Sequence, residues 1–82
     1  MNKSMFLLEV YEKSIYGNPM LFKRRISDSI MSIEDWIDAN AQKWVLFPVS
    51  VEHDGYGNGK IYLSNNRDVV PYEFRTINIA TI

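Results

Sequence analysis

Only one stretch of this chain carries a helical period, and that constrains what the rest can fold into. Ile33, Trp36, Ile37, Ala41 and Trp44 recur at intervals of three and four residues, which places them on a single apolar stripe. Ser32 reads as the N-cap. Asp35 follows three residues later, in a variant of the capping box where Glu or Gln is more usual. Glu34 and Asp35 would then sit in the first turn and complement the helix dipole. The pattern predicts a helix over residues 33–43 with Trp36 and Ile37 pressed onto a sheet. Residues 27–31 carry no signal that decides whether it begins earlier.

Around that helix the pattern is strand and turn. Phe6, Leu8 and Val10 alternate with Leu7, Glu9 and Tyr11, the period of a half-buried strand. Both faces of this strand carry apolar residues, so the alternation does not choose which one the helix covers. Tyr16-Gly17-Asn18-Pro19 is turn chemistry, and residues 20–26 read as the returning strand of a hairpin. Residues 45–52 are apolar and β-branched, but Pro48 demotes their start to an edge or bulge. A glycine-rich turn over 54–59 precedes a strand at 60–64, Asn65-Asn66 turns again, and residues 72–82 form the last strand. The order is ββαβββ. One α+β domain over residues 1–82 is expected: an antiparallel sheet of four to five strands with one helix packed on one face.

Composition supports a core and narrows the function. Hydrophobic residues make up 46% of the 82 and charged residues 23%, so this is not a chain too polar to fold. Nine basic against ten acidic residues give a net charge of −1. Nucleic-acid binders draw most of their affinity from a basic excess, so that class is disfavoured. With no cysteine there is no disulfide, thiolate metal site or thiol nucleophile, and an intracellular, cytoplasmic setting is expected. The apolar run at 5–8 ends at Glu9, too short for a signal-peptide core, and no segment approaches the ~20 apolar residues of a membrane span.

Each candidate site has a plain structural reading beside its functional one. Gly55-Tyr56-Gly57-Asn58-Gly59 resembles a phosphate loop, but Lys60-Ile61-Tyr62-Leu63 after it reads as a strand. A phosphate loop needs a helix N-terminus at that point. The plain reading is a flexible hairpin tip; the functional one is a binding loop led by Tyr56. His53 and Asp54 are neighbours on a strand and point to opposite faces, so they form no catalytic pair by spacing alone. Glu34, Asp35 and Asp38 read as a solvated helix face, and no metal or cofactor site is expected. Lys23-Arg24-Arg25 is the one basic run. Strand alternation puts Lys23 and Arg25 with Leu21, and Arg24 with Phe22 and Ile26. Its plain role is to discourage edge-to-edge aggregation. Since one helix covers one face only, some of Tyr11, Tyr62 and Tyr72 are expected on the open face, where tyrosine suits a protein interface.

Short, cysteine-free and close to neutral, the chain is similar in overall character to phage-encoded accessory proteins, including inhibitors of host defence or host enzymes. No motif carries that resemblance and it assigns no residue. The expected function is that of a small non-enzymatic binding protein that occludes a surface on a larger protein through Tyr11, Lys23, Arg25, Tyr56 and Tyr62. The alternative is a homo-oligomer that sequesters a nucleotide-like anion between subunits, using Arg24, Arg25 and the backbone of residues 55–59.

Overall fold

Alternation in the first strand is resolved by what the helix covers. In the computed structural model, which describes residues 4–14 and 17–81, β1 (Ser4–Glu12) buries Leu8 and Val10 completely beneath the helix. Leu7, Glu9 and Tyr11 therefore belong to the opposite face. β1 pairs antiparallel with β2 (Met20–Ser27) on one side and with β5 (Tyr72–Thr81) on the other. β3 (Val49–His53) and β4 (Gly59–Leu63) form a hairpin, and β4 joins β5. The result is one five-stranded antiparallel sheet in the order β2-β1-β5-β4-β3. The ββαβββ order and the single covered face agree with the sequence reading. The Tyr16 part of the first turn lies outside the described residues.

The helix α1 (Ile30–Asn40) starts three residues earlier than the stripe suggested. Ser29 is the N-cap, and its hydroxyl accepts a hydrogen bond from the Ser32 backbone N–H at 3.1 Å. Ser32 is thus the donor to a cap rather than the cap. With this start, Glu34 and Asp35 fall beyond the first turn, which holds no acidic residue. The helix tightens into a 3-10 turn, Ala41–Trp44, which extends the apolar stripe to Trp44. Ile33, Ile37 and Ala41 pack on Leu8, Val10, Ile61, Tyr72 and Phe74 as the core. Residues 45–48 are not strand: β3 starts only after Pro48, which has no N–H to give a ladder.

One irregularity decides where the edge strand's side chains go. Val10 pairs with Lys23 but Tyr11 pairs with Leu21, so Phe22 is an extra, unpaired residue in β2. Its ring turns to the helix side and packs 4.9 Å from Tyr72 and 5.4 Å from Trp44, centroid to centroid. Trp36 and Trp44 complete this aromatic cluster at 5.7 Å. The bulge reverses the expected alternation. Leu21 shares the open face with Tyr11, whereas Lys23 and Arg25 pair with Val10 and Leu8 on the helix side.

Candidate interaction surface

The uncovered face of the sheet is built in rows running across the strands, because residues paired in register share a face. Ile26, Leu7 and Ile77 form an apolar row across β2, β1 and β5. Ile26 is 59% and Ile77 41% exposed. Arg24, Glu9 and Arg75 form the next row, and Leu21, Tyr11, Glu73, Lys60 and Glu52 the one after. Tyr62, paired with Ser50, lies at the far end.

Glu9 is the centre of this face. It is 6% exposed, although among the described residues no helix covers this face of the sheet. The Arg75 Nε donates to Glu9 Oε1 at 3.1 Å, and Arg24 Nε stands 3.6 Å from Oε2. Arg75 also donates through Nη2 to the Tyr11 hydroxyl at 3.0 Å, and its guanidinium lies 5.2 Å from the Tyr11 ring centre. Burial works to raise the Glu9 carboxyl, but hydrogen bonding with Tyr11 and Arg75, and the charges of Arg75 and Arg24, hold it below the ordinary range. The Arg75 guanidinium is stabilised in return, chiefly by its hydrogen bond to Glu9. Two guanidiniums against one carboxylate leave this row one positive charge in excess. A shallow depression of about 330 Å³, lined by Tyr11, Pro19, Glu73 and Arg75, opens beside it.

The five residues expected to form one contact surface are divided by the fold. Tyr11 and Tyr62 are on the open face, where the Arg67 guanidinium lies 4.7 Å from the Tyr62 ring centre and pairs with Glu52. Lys23 and Arg25 lie on the helix side of the edge strand, over the rings of Phe22 and Trp36. Tyr56 is 77% exposed at the tip of the 54–59 loop, which leans on Thr76 and Ile30 at the helix side. Tyr72 is in the core, its hydroxyl donating to the Trp44 carbonyl at 3.4 Å.

The glycine loop is a hairpin tip, as expected from the strand that follows it, but it is tied down rather than free. Asp54 accepts from the backbone N–H of Tyr56 at 2.7 Å and of Asn58 at 3.1 Å, and from the Asn58 side chain at 2.9 Å. Those bonds, the one from the Asn58 side chain foremost, depress the Asp54 carboxyl. Asn58 then accepts from the Thr76 N–H, and the Thr76 hydroxyl donates to the Gly57 carbonyl at 2.6 Å. The N–H groups of Tyr56 and Asn58 are therefore already occupied by an internal carboxylate. Arg24 and Arg25, the other parts of an anion site, stand on opposite faces.

His53 finds a partner across the fold and not next to it in sequence. Its Nε2 is 2.7 Å from Asp38 Oδ1, its Nδ1 is 3.9 Å from Glu34 Oε2, and its ring packs on Phe74. Glu34 and Asp38 thus turn toward β3 instead of forming a purely solvated face. Among the described residues no cluster of His, Cys, Asp and Glu is arranged to hold a metal ion, and no helix is long and apolar enough to cross a membrane.

Sequence reasoning missed the Glu9 row, whose members are 66 residues apart at the extremes. It also missed Leu46 and Phe47, which protrude before β3, Leu46 being 98% exposed. The Gln42 side chain holds that loop, donating to the carbonyls of Val45 and Phe47 and accepting from the Val49 N–H. Comparison with known protein families, with characterised proteins and with solved structures finds no match to this chain.

Proposed function

We propose that this chain is a non-enzymatic binding protein that occludes a surface on a larger protein through the open face of its sheet. The observation that carries this is the juxtaposition of the apolar row Ile26–Leu7–Ile77 with the Arg24–Glu9–Arg75 row and Tyr11. Half-exposed aliphatic side chains beside arginine and tyrosine are the composition of an interface core. Strands lie about 4.8 Å apart and rise about 3.3 Å per residue, so the face offers roughly 600 Å² before side-chain relief is counted. That approaches the ~800 Å² per partner of a standard interface. Glu9 supports the reading too, since it fixes both guanidiniums before any partner arrives and so lowers the entropy lost on binding. An inhibitor of the kind phages encode against host proteins would use such a face. On this reading the contact set is Tyr11 and Tyr62, kept from the expected one, together with Arg24 and Arg75, which share their face.

The test is substitution of Ile77 by Lys, which leaves the core untouched. Capture of a stoichiometric protein partner from the native host by the unaltered chain, lost with Ile77→Lys at unchanged Tm, is the expected result. A partner retained by the variant would move the contact surface elsewhere.

A further inference from the structure

We propose that the outer edge of β2 takes up an acidic, extended segment of another protein as a sixth strand. This rests on the reading of the chain as a protein-binding module and names the chemistry of its partner. Among the described residues β2 is the last strand on its side of the sheet, so one row of its backbone N–H and C=O groups has no described strand to pair with. β2 is eight residues long, and its middle is Lys23-Arg24-Arg25, all exposed. Among the described residues Lys23 and Arg25 form no ion pair; they rest on the rings of Phe22 and Trp36 at 5.3 and 5.2 Å. Arg24 shares Glu9 with Arg75, at the longer distance of 3.6 Å. Three cations thus stand along an open edge with less than one carboxylate between them.

Charge decides which strand fits. A second copy pairing antiparallel about Arg24 would set Lys23 against Arg25 and Arg24 against itself, and like charges directly opposite are destabilising. Pairing with β3 of a second copy offers one acid, Glu52, and that is already bonded to Arg67. Charge therefore opposes self-pairing of this edge in its central register and leaves β3 with no free acid to offer it. An acidic strand meets the reverse: residues two apart on its one face oppose Lys23 and Arg25, the residue between them opposes Arg24, and the next opposes Ile26. The segment recognised is three acidic residues followed by an apolar one, or that order reversed for the other strand direction. Main-chain hydrogen bonds would supply affinity and the alternating side chains specificity, as in other strand additions. The opposite edge lacks this character, since β3 has five residues, begins after Pro48 and carries no unpaired run of charge.

The experiment titrates the 15N-labelled chain with a blocked octapeptide whose centre is three glutamates followed by a valine, and separately with its counterpart carrying lysine at the three glutamate positions. The expected result is saturable shifts of backbone amides within residues 21–27, at least tenfold weaker for the lysine peptide. Lys23→Gln with Arg25→Gln should weaken the glutamate peptide by a similar factor while the rest of the spectrum keeps its dispersion. Equal binding of both peptides, shifts centred on β3 or on the open face, or no shift at millimolar peptide would each overturn the assignment. Because the peptides need no natural partner, these outcomes stand apart from the Ile77→Lys test, which can succeed or fail on its own.

Discussion

Glu9 shows at the scale of one residue how a buried charge is tolerated on a bare sheet face. Its folded carboxyl titrates below the ordinary value of 4.5, so the ionised form adds stability at neutral pH. That contribution is complete above the ordinary value and is lost as pH falls through the lower, folded one. Glu9→Gln is expected to cost about 1 kcal/mol at pH 7, or roughly 4–8 °C in Tm, less than the ~1.5–3 kcal/mol of a charged hydrogen bond because both guanidiniums reach water. The gap between the two proteins should close as thermal melts are taken from pH 7 to pH 3. A gap that widens in acid would mean that the carboxylate is a burden on the fold. The glycine loop offers a second comparison. Gly55 and Gly57 both have positive φ, 87° and 90°, but only at Gly57 would a Cβ strike a neighbour, the Thr76 side chain at 2.6 Å. Alanine at Gly55 should cost about 1 kcal/mol from backbone conformation alone, and at Gly57 about 2 kcal/mol or more, measured by denaturant melts.

Elements differ in how much of their placement is written locally. Ser29→Ala should lower stability by about 1 kcal/mol through loss of the helix cap, whereas Ser32→Ala, which keeps its N–H, should be near neutral in the same melts. The reverse order would restore Ser32 as the cap. Both serines are chemically fit to cap, and the choice falls to Ile30, which the earlier start brings alongside the loop at Gly57. Stripe and alternation were legible because periodicity follows directly from burying one face: Ile33, Ile37, Leu8 and Val10 are where their spacing puts them. The bulge at Phe22 was not, since it is set by the space between Trp44 and Tyr72, which no local pattern reports. With it went the faces of Leu21, Lys23 and Arg25. The Glu9–Arg75 and His53–Asp38 pairs were hidden for the same reason, each joining elements far apart in sequence.

The whole molecule divides its labour by face. Beneath the sheet, one helix and an aromatic cluster close the core; above it, charge, tyrosine and isoleucine have no cover among the described residues. Loops at the margins hold Tyr56 and the Leu46–Phe47 pair out from the body, and these are the natural controls for any claim about the open face. Tyr56→Ala and Leu46→Ser should change stability little, since both side chains stand in water. The most direct measurement is quantitative co-purification from the native host with four forms of the chain: unaltered, Ile77→Lys, Tyr56→Ala and Leu46→Ser. Binding through the open face predicts one protein near equal stoichiometry with the unaltered chain and both loop variants, and its loss with Ile77→Lys alone. Retention by Ile77→Lys together with loss in either loop variant would contradict it and place the contact on the loops.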